Sequence, residues 1–71
     1  MNNEVKSVTN KEEAIISIKK FKSSCKGICN FYIYINDIII EVSRKEAIRH
    51  TEGDYFLNLD IRDTCIFVDL K

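Results

Sequence analysis

The run Asn30-Phe-Tyr-Ile-Tyr-Ile-Asn-Asp-Ile-Ile-Ile-Glu-Val-Ser43 decides the fold. Phe31 to Ile35 is β-branched or aromatic at every position, the composition of a strand. Asn36-Asp37 then supplies two residues that tolerate positive φ, the chemistry of a two-residue hairpin turn. Folding the run about that turn sets Ile35 against Ile38, Ile33 against Ile40 and Phe31 against Val42. All six are apolar and share one face. Tyr32, Tyr34, Ile39 and Glu41 take the other. A one-residue slip would mix the two sets, so the pattern fixes its own register.

Upstream of the hairpin, Thr9 and Asn10 are each followed three positions later by a glutamate, Glu12 or Glu13, a capping box in either of two registers. Ala14, Ile18, Phe21 and Cys25 recur at helical spacing. Acidic residues in the first turn and Lys19, Lys20 and Lys22 in the last complement the helix dipole. The spacing predicts a helix over residues 10–23, with Gly27 at its exit. Before it, residues 2–8 alternate weakly, with Val5 and Val8 as anchors, and read as an edge strand or a loose arm. Downstream, Ser43-Arg44-Lys45-Glu46 is a second capping box. It opens a short helix through Thr51 with Ala47 and Ile48 inward and Gly53 as its C-terminal cap. A second hairpin follows. Tyr55, Leu57, Leu59 and Ile61 alternate on one strand and Ile66, Val68 and Leu70 on the other. A turn at Arg62-Asp63 would pair Leu59 with Ile66 and Leu57 with Val68. Phe56, Asn58, Asp60, Cys65, Phe67 and Asp69 then fall on the opposite face. The tripeptides Glu13-Ala14-Ile15 and Glu46-Ala47-Ile48 repeat ahead of the two hairpins.

The expected architecture is one compact α+β domain over residues 1–71. It has two layers: a four-stranded, or with the N-terminal segment five-stranded, antiparallel sheet from two β-hairpins, with two helices on one face, in the order (β)αββαββ. Up to Ile61 that order also fits a ferredoxin-like βαββαβ unit. The chain has 71 residues, so its core is small and its stability margin thin.

Hydrophobic residues make up 45% of the chain and its formal net charge is zero. The first is too much for a disordered chain. The second removes the general attraction to nucleic acid or anionic membranes. The longest apolar run, Ile38-Ile39-Ile40, is far short of a membrane span. Met1-Asn2-Asn3-Glu4 does not open a secretory signal. The three cysteines are therefore expected as reduced thiols in the cytoplasm.

Motifs for chemistry are sparse. Cys25, Cys29, Cys65 and His50 are zinc-type ligands, but only Cys25 and Cys29 are spaced as a pair, and small buried cysteines explain them as well. The same two could form a disulfide only in an oxidising setting, and their spacing exceeds a Cys-x-x-Cys motif by one residue. His50 ends a polar helix, where it complements the dipole. Gly27 and Gly53 are the only glycines, which leaves no phosphate-binding loop. The expectation is a protein that is not an enzyme and uses no cofactor.

With helices on one side, the other sheet face presents Tyr32, Tyr34, Ile39, Phe56 and Phe67, rimmed by Glu41, Asn58, Asp60 and Asp69. Aromatic residues in a polar rim are the composition of an interface centre. An aromatic sheet also suits base stacking, but the three carboxylates would repel phosphate. The leading expectation is a non-catalytic protein-binding module that occludes a protein partner stoichiometrically, of the kind used by phages or mobile elements as inhibitors of host defence (anti-CRISPR-type). A second copy docking through the same face is an alternative partner. The other readings are a nucleic-acid-binding regulator using Lys19, Lys20, Lys22 and Lys26, and a small zinc-binding module.

Overall fold

In a computed structural model the described residues are 6–22 and 30–71, and they form seven elements in the order βαββαββ. These are β1 (Lys6–Val8), α1 (Lys11–Lys20), β2 (Phe31–Ile35), β3 (Ile38–Val42), α2 (Arg44–Glu52), β4 (Phe56–Ile61) and β5 (Ile66–Leu70). The fold is α+β, with a five-stranded sheet ordered β1-β4-β5-β2-β3. Three pairings are antiparallel. The fourth, β2 against β5 at the centre, is parallel, so the sheet is mixed rather than wholly antiparallel. The second hairpin inserts between β1 and the first hairpin, and this brings β5 alongside β2. That sheet order also differs from a ferredoxin-like unit, because β1 and β3 stand at opposite edges.

The first hairpin has the register its residues dictate, Ile35 with Ile38 through Phe31 with Val42. Asn36 (φ 51°) and Asp37 (φ 63°) both occupy the left-handed region that a tight hairpin turn requires. The second hairpin departs from expectation. Its connection is longer, closed by Arg62 N–H donating to the Cys65 carbonyl at 2.8 Å, and Leu59 pairs with Val68 rather than with Ile66. The slip is by two residues, so each side chain from Asn58 onward keeps its expected face. A bulge between Phe56 and Asn58 then breaks the alternation. Phe56 pairs with Leu70 and packs against the core, while Leu57 is 49% exposed and Tyr55 66% exposed. The inward placement expected for Tyr55 and Leu57 does not hold.

Both helices start where the sequence marks them. Asn10 caps α1 by accepting from Glu13 N–H at 3.0 Å. Ser43 and Glu46 form a reciprocal capping box at α2. Gly53 caps α2 in an extended conformation (φ −75°), not the left-handed one associated with glycine caps. α1 ends at Lys20, short of the expected 23, and Phe21 turns onto the core with its ring edge-on to Phe31 at 5.8 Å. Gly27 and Cys25 lie outside the described residues.

The core is the helix-side face of the sheet closed by one face of each helix. Val8, Phe31, Ile33, Val42, Leu59, Ile66 and Val68 from the strands meet Ala14, Ile18 and Ala47 from the helices. Strand order and direction place β1-α1-β2 and β3-α2-β4 in equivalent positions about an axis through β5. The side chains follow the same relation. Asn10 and Ser43 are N-caps, and Glu13 and Glu46 follow them. Ala14 and Ala47 are fully buried. Lys11 Nζ donates to the Gly53 carbonyl at 2.7 Å, at the end of α2. Arg44 Nη1 donates to the Ile18 and Lys19 carbonyls, 2.6 and 3.1 Å away, at the end of α1. Each helix thus begins with a cation that satisfies the last carbonyls of the other. The repeated Glu-Ala-Ile tripeptide is the sequence trace of this arrangement.

Candidate functional site: the helix-free sheet face

The side chains that point away from the helices form two rows across the strands. The strand pairings give the first as Ser7, Asp60, Phe67, Tyr32 and Glu41. The second is Asn58, Asp69, Tyr34 and Ile39. Asn58, Asp60 and Asp69 therefore gather on β4 and β5, while Tyr32, Tyr34 and Ile39 lie on β2 and β3, with Phe67 of β5 beside the rings and Glu41 at the β3 edge. Of the expected site residues, Tyr32, Tyr34, Ile39, Glu41, Asn58, Asp60, Phe67 and Asp69 all lie on this face. Phe56 does not; the bulge turns it to the core.

Tyr32 and Phe67 are cross-strand neighbours and stack at 5.2 Å with an interplanar angle of 23°. The Arg62 guanidinium lies 5.0 Å above the Phe67 ring, a cation–π contact that the alternation pattern alone does not reveal. Tyr34 is exposed, and its hydroxyl donates to Asp37 Oδ1 at 3.0 Å. That bond, followed by the Asp37 charge, raises the Tyr34 pKa above its usual value.

On the polar half, Asn58 Nδ2 donates to Asp60 Oδ1 at 3.1 Å and to Asp69 Oδ2 at 3.0 Å. Ser7 Oγ lies 3.4 Å from Asp60 Oδ1 and donates to it from the neighbouring strand. The Asn58 amide thus bridges the two carboxyls. Burial first, then the hydrogen bond to Asp60 and its charge, push the Asp69 pKa up to about 6, while Asn58 and Arg62 oppose the shift. Between the two halves lies an open hollow of about 260 Å³, lined by Tyr34, Ile39, Asp60, Arg62, Phe67 and Asp69. Two bridged carboxyls beside a ring are chemically suited to a cationic side chain.

Other expected residues lie elsewhere. Lys19 and Lys20 close α1, and Lys22 follows it, all exposed in the helix layer. Lys26, Cys25 and Cys29 are outside the described residues. His50 is exposed in the last turn of α2, and Cys65 is half-buried beside the β4–β5 connection. Among the described residues no three histidine, cysteine or acidic side chains gather as a metal site, and no helix is long and apolar enough to cross a membrane.

The fold and this face define a small α+β protein with a sheet clothed by helices on one side. No family model matches the chain, no curated protein matches it in sequence, and no solved structure matches it.

Proposed function

We propose that this chain is a non-catalytic protein-binding module whose helix-free face docks on a basic site of a protein partner and occludes it. The observation that carries this reading is the hollow that joins the Asp60–Asp69 pair to Tyr34, Ile39 and Phe67. An arginine or lysine entering it beside Arg62, which already covers Phe67, gains the carboxylates and the Tyr34 ring together. Ile39 and the Tyr32–Phe67 stack supply apolar contact around that anchor. Acidic groups held on a rigid sheet can stand in for the phosphates that a basic site ordinarily meets, and this suits the antagonism of a nucleic-acid-handling enzyme. We extend the proposal to the setting expected from sequence, a phage or mobile-element inhibitor of host defence.

The test is affinity capture from host cells with the wild type and with Tyr34→Ala/Phe67→Ala and Asp60→Asn/Asp69→Asn, each first checked for an unchanged circular dichroism spectrum. One protein should be retained by the wild type at equal stoichiometry and lost by both variants. Retention by both variants would remove the face from the reading. A self-docked face would instead give variants of halved mass and no second protein.

A further inference from the structure

The two edges of the sheet are treated differently. β1, described from Lys6 to Val8, carries a lysine, a charge by which edges resist pairing. β3 is five residues long, Ile-Ile-Ile-Glu-Val, with neither lysine nor proline. Ile38, Ile39 and Ile40 are 56%, 56% and 48% exposed, Ile38 and Ile40 on the helix side and Ile39 on the other. Among the described residues nothing pairs with the outer side of β3. The two-residue turn makes Ile35 and Ile38 a hydrogen-bonded pair, so Ile38, Ile40 and Val42 spend their backbone groups on β2. Ile39 and Glu41 point theirs outward.

We propose that β3 pairs antiparallel with β3 of a second copy of this chain, about a two-fold axis that sets Ile40 opposite Ile40. Charge selects both the occupant and the register. An axis through Glu41 would oppose two carboxylates, and one through Ile39 would set Glu41 against Asp37. The axis through Ile40 sets Glu41 against Ile39 of the second copy and makes about four backbone hydrogen bonds between them. It also brings the Asp37 turn against Ser43 of the second copy, where α2 begins and Arg44 and Lys45 follow. Arg44 is spent on the α1 carbonyls and Glu46 caps Ser43, so the cation that a carboxylate there meets is Lys45, once in each copy. A net charge of zero leaves no overall repulsion between copies. On the helix side, Ile38 and Ile40 of both copies close into one apolar cluster. The ring-bearing faces stay open and become continuous, so this inference does not depend on the proposed function.

Sedimentation equilibrium up to about 1 mM protein tests it. The expected mass is twice 8.3 kDa. Ile40→Lys and Ile40→Glu place like charges on the axis and should each be monomeric. Mixed, they should form a dimer holding one copy of each by native mass spectrometry. Glu41→Pro removes only an outward N–H, leaves the β2–β3 bonds intact, and should give a folded monomer. A monomeric wild type across the range, a dimer that survives Glu41→Pro, or a Lys/Glu mixture that stays monomeric would each overturn the proposal.

Discussion

Lowering the pH from neutral should make this protein more stable, against the usual direction for a carboxylate. Asp69 is the reason. Its pKa is about 6 in the folded chain against 3.8 for the free side chain. Between those values the folded state binds more protons than the unfolded state, so stability falls as pH rises. Below the lower value both states are protonated and the difference vanishes; above the upper one the folded chain holds two adjacent charges. The carboxyl is only half-buried, so water screens much of the repulsion, and the net effect is about 1 kcal/mol between pH 4.5 and 7. Glu46 works in the opposite sense and in a separate window. Hydrogen bonds from Ser43 hold its pKa below the ordinary value, so its contribution is present above that range and lost as pH falls through it. Urea unfolding of the wild type and Asp69→Asn across pH 4.5 to 7 measures the effect. The wild type should gain about 1 kcal/mol on acidification, and Asp69→Asn should be flat and start higher at pH 7 by a similar amount. Parallel profiles for the two proteins would refute the account of Asp69 as a carboxyl held protonated by burial and by its acidic neighbour.

Three further outcomes follow from packing. Arg44→Ala should cost about 1–2 kcal/mol in urea unfolding, since it loses the bonds to the α1 carbonyls and the stacking 5.0 Å above Phe31; Arg44→Lys should recover little of it, because an ammonium has neither the fork nor the plane. Phe56→Ala should cost about 2–3 kcal/mol in the same assay while Leu57→Ser stays within about 0.5 kcal/mol, which reverses the order expected from unbroken alternation. Ala47→Leu, at a fully buried position of α2, should cost about 1–3 kcal/mol by overpacking, read as a lowered denaturation midpoint with an unchanged slope.

The parts of the fold legible in the sequence are those where several local signals agree. The first hairpin has strand-forming residues on both arms, a turn that demands positive φ, and one register that sorts its faces. Its structure follows each signal. The helix starts are equally local, because a cap and its glutamate are neighbours in sequence. Strand order is not legible, since the central β2–β5 pairing depends on how two helices cross the sheet and has no short-range trace. The second hairpin lies between these cases. Its register slips by two residues, yet Asn58, Asp60, Phe67 and Asp69 keep their face because an even slip preserves parity. Phe56 is lost from that face because Phe56 and Leu57 are adjacent large apolar residues, and no glycine marks the bulge. Burying the ring rather than the leucine removes more apolar surface from water, and the bulge permits it. Arg62 joins the candidate site for a reason the alternation pattern cannot carry. It sits in the connection, and only the folded loop brings it over Phe67.

The near-symmetry of the fold bears on the exposed edge. β1 and β3 hold equivalent places, each ahead of a capped helix that begins with a cation clamped to the other helix. The β1 edge carries a lysine where β3 carries isoleucine. The three isoleucines of β3 are therefore a choice of residues and not a demand of the architecture. Nor are they all spent on the core: Val42 is buried, but Ile38 and Ile40 stay half in water on the helix side. Apolar surface that the monomer does not bury costs solubility and adds nothing to its stability. A strand of this composition at an open edge has its physical explanation outside the single chain.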